Sequence, residues 1–361
     1  MIVKLEDVCY SESSNLKQSD LIKVPDGYPV YGASGFIANI DKYQQEKPYI
    51  SIVKDGAGIG RVQLCPGKSS VIGTMQYIIP KENVLPKYLY YVTTYMHLEK
   101  YYTGATIPHI YFKDYKREKF NLDSIEKQKN IVNILDRCWK IIELRKEQLE
   151  KYDDLIKARF IEMFGDPLSN SKGYDLSDYG SLFELNAGGT PSKNKPEYWE
   201  NGNISWIGSN MCQDTILYEN DGKYITELGF NNSSARMFPK NTVLVALVGA
   251  TIGKTALLKF ETTTNQNVLG IRGIEESGNN PYFVFYYTQG LHKFFMDISD
   301  GGFAMASKGF ISKLPFPIVD ISLQNDFADF VKLIDKSKVA VQKSLDKTQQ
   351  LFDSLMQEYF G

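Results

Sequence analysis

The feature that most constrains this chain is that it repeats itself. Residues 327–361 are a second edition of residues 131–165, both amphipathic and helix-forming, ending on Met163-Phe164-Gly165 and Tyr359-Phe360-Gly361. The same offset of 196 residues relates Phe120 to Phe316, Gln128 to Gln324 and Leu155 to Leu351. Upstream, Gly56-Ala-Gly-Ile-Gly-Arg61 matches Gly249-Ala-Thr-Ile-Gly-Lys254 at an offset of 193. A repeat of this size means two copies of one module, each a globular unit followed by a long helix. Such a chain grips something twice, at a fixed separation.

Within the first helical copy, Leu135, Ile142, Leu149, Ile156 and Met163 form an unbroken seven-residue series, with Ile131, Cys138 and Tyr152 in the partner series. The second copy has Val331, Leu345, Phe352 and Tyr359 in one series and Ile334, Val341 and Leu355 in the other. This is the narrow seam of a coiled coil rather than the broad face of a helix lying on a globule. Neither seam can stay exposed, and each is the other's natural partner. A whole domain connects them, so the expected pairing is antiparallel within one chain. A dimerisation coiled coil is the other reading. About 33 helical residues at 1.5 Å each make a rod of roughly 50 Å.

The remainder reads as two mixed α/β globular units. Strand-like runs at 49–53, 76–79 and 242–248 are β-branched or aromatic, bounded by Gly, Pro and Asn. Helices are expected over 87–102 and 282–298, each following a proline, Pro86 or Pro281. Stretches 31–35 and 186–192 read as Gly/Ser/Asn loops, and Tyr198, Trp199, Trp206 and Tyr218 give the second unit an aromatic surface or core. With 361 residues, 43% hydrophobic and 23% charged, the composition is that of an ordinary soluble protein of two domains. No apolar stretch approaches the roughly 18–20 residues of a membrane span. The first residues do not read as a signal peptide. Cys9, Cys65, Cys138 and Cys212 have no paired spacing, so neither disulfides nor zinc are expected. A net charge of −2 does not exclude nucleic acid, because a basic groove can coexist with acidic faces. Basic clusters occur at 113–119 and 193–195, although a solvated face explains either one alone.

Catalytic patterns fail on inspection. Gly249-Ala-Thr-Ile-Gly-Lys-Thr255 has three residues where a phosphate-binding loop needs four, and its first copy, Gly60-Arg61-Val62, lacks both Lys and Thr. A loop between two strands explains both copies. Asn280-Pro281-Tyr282 lacks the second proline of an amino-methyltransferase signature, and no glycine-rich cofactor loop accompanies it. His97, His109 and His292 sit beside no evident nucleophile or metal partner, and no carboxylate pair recurs in both copies. The expectation is a non-catalytic chain.

These residues resemble the specificity subunits of type I restriction–modification systems. The likeness is carried by Leu176-Ser-Asp-Tyr179, Gly188-Gly-Thr-Pro-Ser192, Glu197-Tyr-Trp199 and Ile204-Ser-Trp-Ile-Gly208. Tyr28-Pro-Val-Tyr-Gly-Ala-Ser-Gly35 resembles the alternative entry to such domains. Leu314-Pro-Phe-Pro317 with Gln324 resembles the run-in to the long helix, where the first copy departs with Arg117-Glu-Lys-Phe120. The resemblance implies an α+β chain with an internal pseudo-twofold repeat. Its parts would be a target recognition domain at 1–121, a spacer helix at 122–168, a second target recognition domain at 169–317 and a distal spacer helix at 318–361. The two domains would read the two halves of a split, asymmetric double-stranded DNA site in the cytoplasm. The helices, paired through Leu135, Ile142, Leu149, Ile156, Val331, Val341, Leu345 and Phe352, would set the spacing and dock two methyltransferase subunits. Restriction subunits would join that core. S-adenosylmethionine, ATP and Mg would belong to partners, leaving this chain without cofactor or metal. Candidate DNA contacts are Lys54, Arg61, Thr106, His109, Lys113, Lys116 and Arg117 in the first copy, and Lys193, Lys254, Ser307 and Lys308 in the second. The competing expectation is a tandem-repeat coiled-coil scaffold without DNA specificity.

Overall fold

The computed structural model describes residues 1–104, 108–297 and 305–361. The chain divides into two compact units, residues 1–147 with 341–361, and residues 148–340. Both mix strands and helices, and each takes part of both long helices.

The first unit begins with β1 (Ile2–Lys4), α1 (Leu5–Val8), β2 (Cys9–Ser13), β3 (Tyr28–Gly32), β4 (Gly35–Ile40) and β5 (Tyr49–Val53). It continues with β6 (Val62–Cys65), β7 (Ser70–Val71), β8 (Met75–Pro80), α2 (Pro86–Tyr95), α3 (Phe112–Tyr115) and β9 (Lys119–Asn121), then enters α4 (Ile125–Phe164). Its main sheet has the order β2-β8-β5-β6, all antiparallel. A second sheet runs β4-β3-β7, and β1 pairs with β9. Every residue of β5 is buried, which is why its sequence is apolar on both faces apart from Ser51, whose hydroxyl meets Cys65 Sγ at 3.3 Å. Alternation sends Ile50 and Ile52 towards Tyr88, Leu89 and Val92 of α2, while Tyr49 and Val53 pack with Val30 and Val71 of the second sheet.

The second unit follows the same plan with additions. It has β10 (Leu176–Asp178), α5 (Tyr179–Leu182), β11 (Glu184–Ala187), β12 (Ile204–Ile207), β13 (Thr215–Leu217), β14 (Tyr224–Ile225), α6 (Glu227–Asn231) and β15 (Met237–Phe238). There follow β16 (Val243–Ala246), β17 (Thr255–Leu258), β18 (Thr262–Thr264), β19 (Val268–Arg272), α7 (Pro281–Gly290), α8 (His292–Asp297), α9 (Lys308–Ser312), β20 (Pro315–Pro317) and α10 (Ile321–Phe360). The order β11-β19-β16-β17 reproduces that of the first main sheet, with β13 added at its edge; the second sheet is β14-β12-β18-β15. One face of β16 and β19 packs on α7 through Val243, Val245, Leu269 and Ile271. The other packs on Ile207 and Phe238 through Leu244, Ala246 and Val268.

Both long helices begin before the heptad pattern does, α4 six residues before Ile131 and α10 ten before Val331, because their first turns are capped rather than seam-forming. Asp320 Oδ1 accepts from Ser322 N at 2.8 Å, and Ser124 Oγ accepts from Lys127 N at 3.4 Å. One turn on, each helix carries a fully buried glutamine. Gln128 Oε1 accepts from Leu85 N, at the cap of α2, at 2.9 Å, and its Nε2 donates to the carbonyls of Asn83 and Asp123 at 3.1 and 2.9 Å. Gln324 repeats this on α7, accepting from Asn280 N at 2.8 Å and donating to Val319 O at 2.9 Å. These glutamines bolt each unit's sheet-covering helix to its long helix.

In the first unit, Leu135, Cys138 and Ile142 of α4 share a core with Phe352, Met356 and Phe360 of α10. In the second, Ile156, Phe160 and Phe164 of α4 share one with Phe327, Val331 and Ile334 of α10. The seam is uneven: Leu149, Val341 and Leu345 are only half-buried. Two other expectations change. The helix expected over 87–102 stops at Tyr95, because His97 takes a left-handed φ of 50°, and resumes as a 3-10 turn over Leu98–Tyr101. That over 282–298 breaks after Gly290 into α7 and α8, residue 298 lying outside the described residues.

Candidate nucleic-acid interface

The glycine segments 56–61 and 249–254 are tight turns joining antiparallel strands, β5 to β6 and β16 to β17. Their shared glycines have a steric cause. Gly60 has φ +81°, and a Cβ there would sit 2.5 Å from Glu99 N; Gly253 has φ +75°, and a Cβ would sit 2.6 Å from Phe295 Cβ. In each unit the segment following the sheet-covering helix presses on this turn, and only glycine admits it.

The loops before α3 and α9 dock beside these turns by the same hydrogen bonds. Ile110 N donates to Lys54 O, and Ala306 N donates to Leu247 O, both at 2.9 Å. Isolated bridges join Asp55 to His109 in one unit and Val248 to Met305 in the other. The first loop is closed by a further bridge between Thr103 and His109. The structure therefore brings Lys54, His109 and Lys113 into one neighbourhood, together with two residues that sequence reasoning missed, Asp55 and Tyr111. Asp55 lies 2.6 Å from His109 Nδ1 and 3.2 Å from Lys54 Nζ. His109 stacks on Tyr111 with centroids 6.3 Å apart, and Lys113 Nζ sits 5.3 Å from the Tyr111 centroid. Arg61 is exposed and donates to Ala33 O at 2.9 Å, at the turn between β3 and β4.

Lys116 is differently engaged. It pairs with Glu6 at 2.9 Å beside β1, and this hydrogen bond, with the charges of Lys116, Lys4 and Arg117, holds the Glu6 carboxyl below its ordinary pKa. Arg117 itself is exposed. Thr106 lies outside the described residues.

In the second unit, Lys254 donates to Gln213 Oε1 at 2.8 Å, just before β13. Ser307 caps α9 by accepting from Phe310 N at 3.1 Å, and Lys308, the first residue of that helix, is exposed. Lys193 lines a separate cleft of about 520 Å³ with Trp199, Trp206, Asn210, Lys223 and Asn265. The two indoles there meet edge to face at 5.2 Å. Lysines beside aromatic faces and amides suit a polyanion whose bases offer donors and acceptors. Gln213, Asn210 and Asn265 carried no local signal. Asp55 could have been found from its neighbour Lys54, whose repeat partner is an apolar leucine, Leu247. No helix among the described residues is long and apolar enough to cross a membrane.

Comparison with known proteins gives the architecture a family. The chain is 30% identical over 159 residues to the type I restriction enzyme EcoR124I/EcoR124II specificity subunit of Escherichia coli, covering 41% of this chain and 36% of that protein. It is 32% identical over 153 residues to the type I restriction enzyme MjaIX specificity subunit of Methanocaldococcus jannaschii, covering 40% and 34%. The chain thus spans about a third of the length of these curated relatives. Its fold resembles the crystal structure of a type I restriction-modification system S subunit from M. genitalium, with a TM-score of 0.63 at 18% identity over 100% of this chain and 96% of that one. A chain from a structure describing complex assembly and conformational transition of the type I R-M system aligns with a TM-score of 0.59 at 14% identity, over 99% and 97%. The family model of the type I restriction modification DNA specificity domain matches residues 1–151 and 171–351, and the chain belongs to that family.

Proposed function

We propose that this chain is the non-catalytic DNA-recognition subunit of a type I restriction–modification enzyme, acting in the cytoplasm. Its two units read the two halves of a split, asymmetric site. The observation that carries this reading is the pair of equivalent bridges, Asp55–His109 and Val248–Met305: one backbone frame, presenting different side chains in each unit. Different side chains on like frames are what two unlike half-sites require, since base edges are read by side chains and the frame only positions them. Lys54, Arg61, His109, Lys113, Lys193, Lys254, Ser307 and Lys308 are the DNA-facing candidates, and Thr106, outside the described residues, is a candidate from sequence alone. Arg117 serves a phosphate, and Lys116, already paired with Glu6, is the weaker candidate for that role.

The long helices pair antiparallel as a coiled coil, relating the two modules by a pseudo-twofold repeat and setting the gap in the DNA site. The shared cores of α4 and α10 in each unit support this, early α4 with late α10 in one and late α4 with early α10 in the other. Each helix also exposes large apolar side chains, among them Ile134, Ile141 and Leu144 on α4 and Leu333, Val339 and Leu351 on α10. Such residues suit docking of partner proteins, here two methyltransferase subunits with restriction subunits joining them. S-adenosylmethionine, ATP and Mg act on those partners, and this chain needs no cofactor of its own.

Methylome sequencing of the source cell with and without the gene tests the reading. Deletion removes one split methylation motif, and exchanging residues 169–317 for a relative's changes one half of it. A chain whose deletion leaves every motif in place, while its partners still assemble on it, is a scaffold.

A further inference from the structure

The charges of Asp55 and His109 are not needed to hold the loop they join. The equivalent bridge in the second unit is made by Val248 and Met305, with no ionisable group. The first unit keeps the same backbone contact and adds a directed one. Asp55 Oδ1 lies 2.6 Å from His109 Nδ1, while Oδ2 lies 3.2 Å from Lys54 Nζ. A carboxylate only accepts, so the proton in this contact sits on Nδ1, and Nε2 is left as the second polar atom of the ring. The imidazole is held flat against Tyr111, at an interplanar angle of 16°, with Lys113 over the same tyrosine. Its side chain retains 36% of its exposure. A hydrogen bond at one ring nitrogen fixing what the other presents is the usual way an imidazole is aimed.

We infer that Asp55 is a positioning residue that aims His109 Nε2 at a base edge in the half-site read by the first unit. This rests on the DNA-reading function proposed above. Among the described residues, Asp55 and Tyr111 meet His109 directly, Lys54 reaches it through Asp55, and Lys113 and Asp114 reach it through Tyr111. With Nδ1 holding its proton, a neutral ring accepts at Nε2, from an adenine or cytosine amino group. An imidazolium donates there, to guanine N7 or O6. The first half-site therefore has a preference at one base pair set by the aimed ring, which the second, framed by Val248 and Met305, lacks.

The test uses the full chain assembled with its methyltransferase subunits and duplexes substituted singly at each position of both halves. Binding to each duplex is measured under one buffer and salt condition, since affinity depends on salt. The expected result is that Asp55→Asn changes preference at one base pair of the first half by on the order of tenfold and leaves the second half alone. His109→Gln, which keeps a polar atom near the Nε2 position but is not held by Asp55, changes preference at that same base pair, and adding Asp55→Asn to it changes nothing further. Asp55→Val, copying the second unit, does the same as Asp55→Asn and guards against misfolding. Uniform weakening on all sequences, an effect in both halves, or an Asp55 effect that persists without His109 would reduce Asp55 to a structural residue and overturn the inference. A wild-type complex with no sequence preference would instead defeat the DNA-reading function itself.

Discussion

Replacing Gln128 by leucine removes a buried polar hub without removing much volume. The side chain is fully buried, and three backbone groups depend on it: Leu85 N–H and the carbonyls of Asn83 and Asp123. An orphaned buried N–H costs about 1–3 kcal/mol. The carbonyls lose less, because each has a second lone pair for water or a neighbour. Leucine recovers part of this through apolar burial, about 1 kcal/mol. The net expectation for Gln128→Leu is a loss of about 2–4 kcal/mol. Gln324→Leu should cost somewhat less, since one of its three partners, Asn279 Oδ1 at 3.1 Å, belongs to a part-exposed side chain that can turn to water.

Urea unfolding combined with hydrogen exchange separates the two effects. Gln128→Leu should raise exchange at the start of α2 and leave α7 as it was; Gln324→Leu should do the reverse. Gln128→Glu is the sharper variant. It keeps an acceptor towards Leu85 N but sets carboxylate charge against two carbonyl oxygens, raising the new group's folded pKa above its unfolded value. Its stability is therefore highest in acid and is lost as pH rises, whereas Gln128→Leu has no such trend. A loss below about 0.5 kcal/mol for Gln128→Leu, within the range of an ordinary surface change, would refute the hub argument.

Other consequences follow from particular contacts. Leu135→Ala and Ile142→Ala remove fully buried side chains from the first unit's core and should each cost about 2–5 kcal/mol in chemical unfolding, while Leu149→Ala, at a half-buried position, should cost clearly less. Replacing exposed Lys113 and Arg117 by alanine should reduce the slope of log affinity against log salt by up to about 0.9 per lost phosphate contact; Lys116→Ala, already paired with Glu6, should change it least. Lys259 lies 4.0 Å from the Tyr282 ring centroid, and burial together with Lys332 lowers its pKa to about 8 from 10.5. Between these values the unfolded chain binds more protons, so stability should rise from about pH 8 towards 10, and Lys259→Met should flatten that rise in thermal melts.

The sequence exposed what backbone periodicity and close packing impose. The 193-residue offset marks turns where a Cβ would strike Glu99 or Phe295, and the 196-residue offset runs through buried Gln128 and Gln324. The run at 49–53 coincides with β5, all of it buried. Heptad spacing identified the inward face of the helices but not depth, which is why Leu149 and Ile142 look alike in sequence and differ in burial. Strands of two residues, such as β14 and β15, have no periodicity to read and exist only through their partners β12 and β18. The contact between Asp55 and His109 spans 54 residues and depends on where one loop crosses another, which no local pattern encodes.

The division between constrained and free positions is itself a functional argument. Gly60 is crowded by the Glu99 backbone and Gly253 by the Phe295 side chain, and Gln128 and Gln324 are bonded to backbone groups, so altering any of them disturbs a unit's fold. His109 and Lys254 stand on loops that the frame supports, Lys113 and Lys308 lie in the short helices α3 and α9, and none of the four belongs to a described hydrophobic cluster. The clusters also do not mix: two lie wholly within residues 1–147 and 341–361, and two within 148–340. A change in the reading loops of one unit therefore need not propagate into the core of either. Substituting Lys308 and Ser307 together should leave the melting of both units within about 0.5 kcal/mol while altering preference in one half-site alone. A stability loss of the size expected for Gln128→Leu would show that the reading loops are part of the frame after all.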